Sequence, residues 1–303
     1  MTFSCGFLIF PTPRASNPVE MMDAANRVML QACQDHDLTA WFVDHFQFGR
    51  QPYLECWTQM AFSAGRYPGL RTGTLVLGVG YRNPALVAKA AASFQHLNGG
   101  LTLGIGAGWK EDEYRAYGYP FPSARQRLDE LEDAVQIING LWTNETFSYA
   151  GKYLSVSEAI CEPRPVIKPT LMVGGGGEKR TLAIAARYAD AWNVDYVKPE
   201  DFGRKLGILK DHCRDLGRDP ESIAPSYFGL ISVNRDPDKV VRVLSPNLPQ
   251  NAYVLNGTPD EVIDQMREFR DLGARHIQLS FVDYPSTDGV KTFLEDVWPE
   301  IKE

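Results

Sequence analysis

No cysteine pair in this 303-residue chain has the spacing of a redox or zinc motif. Cys5, Cys33, Cys56, Cys161 and Cys213 are odd in number, widely scattered and without a Cys-x-x-Cys. That argues against a disulfide framework or a structural zinc site, and it fits reduced thiols in a cytoplasmic protein. No apolar run approaches the roughly 20 residues of a membrane span. Positive charge is also short. The 31 Lys and Arg against 38 Asp and Glu leave a net charge of −7, which argues against a general nucleic-acid or anionic-membrane binder. The opening MTFSCGFLIFPTPRAS has no basic head and no clear cleavage site, so it reads as a first strand and not a signal peptide. Internal repeats, low-complexity tracts and linkers are lacking too, so one domain over residues 1–303 is expected.

What the chain does have is alternation. Apolar or β-branched runs at 3–10, 39–43, 71–78, 101–106, 170–174, 190–194, 227–233 and 276–281 read as strands. Helices are expected near 18–34, 53–65, 84–96, 123–142, 178–189, 199–216, 258–272 and 288–302. Asn83-Pro84 and Thr258-Pro259 each place a capping side chain before an N1 proline, and Leu272-Gly273 supplies a glycine stop. Eight strands, each followed by a helix, predict an α/β fold of the (β/α)8 TIM-barrel type. Two stretches interrupt it. Residues 145–156 alternate at period two around Ala150-Gly151, which predicts a β-hairpin before strand five. Residues 234–257 are proline-rich and poorly periodic, and an irregular excursion is expected there.

The glycines carry the functional signal. Gly174, Gly175, Gly176 and Gly177 follow strand five and lead into a helix. Free amides and the positive end of a helix dipole form an anion site, so a phosphate held by backbone is expected there; a flexible loop is the plainer alternative. A Walker A loop is excluded because Lys179 follows Glu178, and no Rossmann fingerprint fits either glycine cluster. At the end of strand four, Gly104, Gly106 and Gly108 alternate with Ile105 and Ala107. One face there is free of side chains, and a flat ring could lie against it; a simple strand-to-loop transition explains the same pattern.

Three long stretches, GTLVLGVGYRNPAL, GIGAGWKEDEYRAYGYPFPSARQRLDELEDAVQIINGLWT and VGGGGEKRTLAIAARYADAWN, resemble the bacterial luciferase-like superfamily, in particular its deazaflavin (coenzyme F420)-dependent oxidoreductase branch. The resemblance implies a TIM barrel with the hairpin insertion, commonly as a homodimer, acting on a small-molecule substrate. It implies a cofactor with a tricyclic ring, a ribityl chain and a phosphate. Gly175, Gly176 and Gly177 would hold the phosphate, while Gly106, Ala107 and Gly108 would border the ring and ribityl chain. Asp44 and His45, in VDHF, would contact the ring or its reactive face, with His45 the catalytic candidate. Trp109 and Glu113 would belong to the same cofactor wall. The resemblance further implies a cis peptide joining Leu75 and Val76, with a bulge that backs the ring.

The chain departs from the family pattern in places. Sugar-phosphate dehydrogenase relatives carry a glutamate acid where Trp109 stands, and an indole cannot exchange a proton with substrate. Three functions therefore stand side by side: F420-dependent hydride transfer, a reduced-FMN monooxygenase, and a flavin-binding protein without activity. Lys110, Lys179 and Arg180 could meet an anionic cofactor tail. Phe46, Phe48, Tyr81, Trp109, Tyr114 and Tyr117 favour a bulky, partly apolar substrate, and packing of the cofactor explains the same aromatics equally well.

Overall fold

A computed structural model describes residues 3–11, 24–241 and 252–302. Within them, strands and helices alternate as the hydrophobic runs predict. β1 (Ser4–Leu8) leads to α1 (Ala24–Asp35), β2 (Thr39–Phe42) to α2 (Cys56–Arg66), and β3 (Thr72–Thr74) with β4 (Leu77–Gly78) to α3 (Pro84–Asn98). β5 (Leu101–Gly106) is followed by the short α4 (Glu111–Ala116) and the long α5 (Ala124–Thr143). Then come β6 (Phe147–Ala150), β7 (Ser155–Ala159), β8 (Thr170–Gly174), α6 (Thr181–Tyr188), β9 (Ala191–Asp195) and α7 (Pro199–Asp215). β10 (Ala224–Val233), β11 (Val254–Gly257), α8 (Pro259–Asp271), β12 (His276–Phe281) and α9 (Asp288–Thr292) follow, and a π-turn over Phe293–Val297 joins α9 to α10 (Trp298–Ile301).

Eight parallel strands close in the order β1-β2-β3-β5-β8-β9-β10-β12, with β12 pairing back onto β1. This is the expected (β/α)8 barrel. The strands are buried on both faces, which is why they read as continuous apolar runs and not as alternations. The run at 71–78 is one barrel position made of two short strands. β3 pairs with β2 and β5, the chain then bulges at Leu75 and Val76, and β4 resumes pairing with β5. The predicted hairpin is present as β6–β7. Asp133 of α5 organises its turn, accepting from Tyr149 Oη at 2.9 Å and from the amides of Lys152, Tyr153 and Leu154 at 3.2, 2.7 and 3.1 Å.

Several expectations need correction. Residues 254–257 are not irregular: β11 pairs in parallel with the outer half of β10, Leu230 opposite Val254. β10 runs ten residues and extends past its pairing with β9, which ends at Phe228, and β11 pairs with the part beyond. The helix expected at 178–189 starts at Thr181, after a turn over 178–180. The last helix is broken because Pro299 has no N–H to donate, so the ladder slips to π spacing in the turn before it. Residues 18–23 of the first predicted helix, and 242–251 of the predicted excursion, lie outside the described residues.

The main core lies between barrel and helices; a smaller cluster of Leu8, Trp41, Leu75, Met172, Ala191 and Phe228 fills the barrel interior. Trp41 lies against Gly73, where a Cβ would stand 2.5 Å from the indole Cε3. Its Nε1 donates to His276 Nε2 at 3.0 Å, and the other ring nitrogen, Nδ1, lies 2.7 Å from Ser4 Oγ. Because Nε2 accepts, Nδ1 carries the proton and the ring is neutral. Burial lowers the His276 pKa to about 3. An unfolded histidine titrates near ~6.5, so between those values the unfolded chain binds the extra proton. Stability is therefore expected to fall as pH drops from about 6.5 towards 3. Urea unfolding across that range should show a shallower pH slope in His276→Gln than in the natural chain. Equal slopes would remove His276 from the acid response.

Candidate active site

A cavity of about 770 Å³ opens at the C-terminal ends of the barrel strands, where this fold places its chemistry. Its floor and walls come from β1 (Leu8), the end of β2 (Val43, Asp44, His45), the bulge (Leu75, Val76), the end of β5 (Gly106 to Lys110), β8 (Gly174, Gly175) and β9 (Asn193, Asp195). A second cavity, of about 520 Å³, is lined by Lys210, Glu221, Arg270 and Arg275 near the opposite end, and Glu221 there pairs with both Lys210 and Arg275. The mouth cavity is the better candidate because its polar groups are less completely spent on one another.

The bulge explains the glycines. The peptide between Leu75 and Val76 is cis, as the resemblance implies. Val76 turns its side chain towards β5 and β8: a Cβ at Gly174 would lie 2.8 Å from Val76 Cγ1, and one at Gly106 2.9 Å from Cγ2. The side-chain-free face expected to receive a flat ring is thus first occupied by Val76, which itself lines the cavity. Thr74 repairs the ladder where β3 leaves it. Its Oγ1 accepts from Gly104 N at 2.9 Å and donates to Gly104 O at 2.8 Å. Gly108 has φ +76°, a conformation that favours glycine, and packs against the Tyr114 phenol.

Of the four consecutive glycines, Gly174 and Gly175 line the cavity, while Gly176 and Gly177 continue towards Lys205 and Thr181. The Gly175 amide is spent on Asn193 O at 2.9 Å. The Gly176 and Gly177 amides have no acceptor among the described residues. Thr181, at the first turn of α6, also lines the cavity. Lys205 Nζ is anchored to Gly176 O at 2.8 Å and to Glu178 at 3.1 Å. Undonated amides, a cavity hydroxyl and a nearby cation at one helix start are the chemistry of an anion cradle.

His45 stands at the far side of the bulge. Its Nδ1 lies 2.9 Å from Glu113 Oε2, and the other Glu113 oxygen accepts the Phe46 amide. Glu113 is fully buried, so its role here is to order the loop and fix the imidazole. The carboxylate accepts at Nδ1, so Nε2 is the ring nitrogen left open to the cavity. Nε2 has no partner among the described residues. Phe48, Tyr53 and Trp109 pack edge-on around the ring, with centroids at 4.8, 6.1 and 5.6 Å. Trp109 is 66% exposed and forms the rim.

Asp44 is largely consumed by the scaffold. Arg82 grips both its oxygens at 2.8 and 2.9 Å, and the Gly78 amide of β4 donates at 2.9 Å. Arg82 also reaches Glu55 at 2.6 Å. Burial works against the Arg82 charge, yet its bonds to Asp44 and Glu55 raise its pKa above the ordinary value. Asp44 therefore pins the strand that follows the bulge. Arg82 escaped the sequence reading because it pairs across 38 residues; its place just after a strand end was the available signal. Burial, then the Glu113 charge, pushes the Tyr53 and Tyr81 phenols up, so both stay protonated. The three expected tail cations divide: Lys110 is held by Asp112, Arg180 by Asp129 and Glu132, and Lys179 has no ion-pair partner among the described residues.

Asp195 was not anticipated. It ends β9, opens onto the cavity and has no hydrogen bond to another residue among those described. Its side chain is exposed to the cavity, yet desolvation by the protein around it raises its pKa.

These features define a (β/α)8-barrel protein with its chemistry at the strand ends. The sequence profile of the luciferase-like monooxygenases matches residues 38–256, and the chain belongs to that family. It is 30% identical over 284 residues to a phthiodiolone/phenolphthiodiolone dimycocerosates ketoreductase of Mycobacterium bovis, covering 74% of this chain and 73% of that one. It is 24% identical over 302 residues to an F420-dependent glucose-6-phosphate dehydrogenase of Amycolatopsis mediterranei, covering 87% and 90%. In structure it resembles an F420-dependent secondary alcohol dehydrogenase at 20% identity, with a TM-score of 0.83 and full coverage of both chains.

Proposed function

We propose that this protein is an F420-dependent oxidoreductase that exchanges a hydride with the carbonyl carbon of a bulky, largely apolar ketone or the matching secondary alcohol. The observation that carries the reading is the cavity itself. Within it, a bulged Val76 rests on Gly106 and Gly174; His45 stands on one side with an Nε2 that has no partner among the described residues, and on the other Gly175 and Thr181 lead to the undonated amides of Gly176 and Gly177. The dehydrogenase relative's dependence on F420 and the ketoreductase relative's chemistry agree with it. The cofactor, when bound, supplies a carbon-centred hydride donor or acceptor.

The chain's own residues do the rest. Gly176, Gly177 and Thr181 would hold a phosphate, and Val76 would back the ring. Gly106, Ala107 and Gly108 would border it, with Trp109 at the rim. Asp44 acts through Arg82 and Gly78 by fixing the bulge. His45 Nε2 takes up the N–H proton that the reduced ring gives up as its hydride leaves. Phe48, Tyr53, Leu75 and Phe228 exclude water and accept an apolar substrate. The five buried, unpaired cysteines support a reducing, cytoplasmic setting, and the family's habit supports a homodimer, which sedimentation would check.

Titration with F420 and with FMN, followed by ring fluorescence, tests the cofactor. Tight FMN binding without F420 binding would turn the reading to the monooxygenase. Gly176→Asp should place a negative charge in the cradle and weaken F420 binding by well over tenfold, roughly 1.4 kcal/mol or more. Unchanged affinity in the folded variant would remove the phosphate from this loop.

A further inference from the structure

The mouth cavity has a carboxyl that the site described so far does not use. β2 and β9 are four strands apart in either direction around the barrel, so His45 and Asp195 stand on opposite sides of the mouth. Asp195 faces the cavity at the end of β9, and the chain turns away at once through Tyr196, whose φ is +56°. Among the described residues no cation neutralises it. Lys110 is tied to Asp112 and Arg82 to Asp44 and Glu55. The titratable groups that feel its charge are the Tyr196 and Tyr227 phenols, whose own pKa values burial pushes up, so both remain neutral. Across the cavity stand Asp44, His45 and Lys110.

His45 cannot serve every proton the reaction needs. In the proposed reaction its one free nitrogen is given to the ring proton, while reducing a ketone also calls for an acid at the carbonyl oxygen. Two titratable groups on opposite sides of one cavity can divide the acid and base roles between them. We propose that Asp195 is the catalytic acid, delivering its carboxyl proton to the carbonyl oxygen as the hydride reaches the carbonyl carbon. The C=O π bond breaks, new C–H and O–H bonds form, and Asp195 is left as carboxylate. The second proton, from the reduced ring, goes to His45, and exchange with water restores both residues. The substrate is reduced by two electrons and the deazaflavin is oxidised by two. In the alcohol-oxidising direction the Asp195 carboxylate is the base. Burial supports this by raising the Asp195 pKa, so that the proton is retained further towards neutral pH. It also explains how the chain works with Trp109 where dehydrogenase relatives have an acid.

The inference rests on the F420 reading, and the experiment separates the two. Full-length wild type, Asp195→Asn and Asp195→Glu are titrated with F420, assayed with reduced F420 over a panel of neutral ketones across pH, and examined cofactor-free by infrared spectroscopy. Asp195→Asn is expected to bind F420 as wild type does and to lose on the order of a hundredfold in kcat. It should also lose the alkaline limb of the kcat profile, while Asp195→Glu restores part of the rate. The cofactor-free wild type should show a protonated-carboxyl band, absent in Asp195→Asn, at a pH where ordinary aspartates are ionised. Wild-type turnover and pH profile in Asp195→Asn overturn the assignment, as does a slowed variant that keeps the alkaline limb. A wild type that fails to bind F420, or binds it without reducing any ketone, overturns the functional reading and this inference together.

Discussion

His45→Ala is expected to lower turnover roughly a thousandfold while changing F420 affinity by less than about tenfold. The asymmetry follows from where the ring sits. Its Nδ1 is committed to Glu113, so only Nε2 is free for chemistry, and the phosphate cradle lies across the barrel at the end of β8. Removing the imidazole removes a base without touching that cradle. Glu113→Gln refines the test. A neutral amide offers one acceptor and one NH2, but Phe46 N–H and Nδ1–H both need acceptors, so one of them loses its bond. Turnover should fall part-way, with the imidazole released from a single tautomer. Binding titration and steady-state kinetics on the same preparations decide the matter. Wild-type turnover in folded His45→Ala would reduce the residue to scaffolding.

The barrel was legible because each strand is a short apolar run and its helices carry local signals, such as Asn83 capping Ala85 N at 2.9 Å ahead of α3. The hairpin was legible from its period-two alternation. What stayed hidden depends on distant partners. β11 pairs with the part of β10 that extends past β9, and nothing within residues 254–257 announces that edge. α4, six residues long, is too short to show a helical period, though it delivers the buried Glu113 to His45. Asp44 looked like a ring contact in the sequence. Its pairing with Arg82, 38 residues on, makes it a clamp for β4. Nothing in the sequence singled out Asp195, because its isolation at the end of β9 is created by walls from other strands. The tetraglycine was read as one anion loop, and it is two things. Gly174 makes room for Val76, and only Gly176 and Gly177 keep their amides free.

That division gives the second large effect. Gly104→Ala is expected to cost about 3 kcal/mol of stability, roughly a hundredfold in the folding equilibrium, because the new methyl group meets the Thr74 backbone carbonyl. Thr74 is fixed twice to the same residue through its hydroxyl, so it cannot withdraw without breaking the β3–β5 junction. The added carbon would also stand 2.8 Å from Met172 Cε and 2.9 Å from Val76 Cγ1. Gly174→Ala is a different case. Its nearest neighbours are all atoms of one side chain, Val76 Cγ1, Cγ2 and Cβ at 2.8, 2.9 and 3.4 Å. Trimming that side chain should make room, so Val76→Ala is expected to rescue Gly174→Ala and to leave Gly104→Ala almost as unstable as before. Urea unfolding of the single and double variants measures both coupling energies directly. If Val76→Ala rescued both glycine variants equally, the crowding at Gly104 would be a side-chain clash and the bulge would not be anchored through Thr74. If it rescued neither, Val76 would not be what these glycines were left bare to receive.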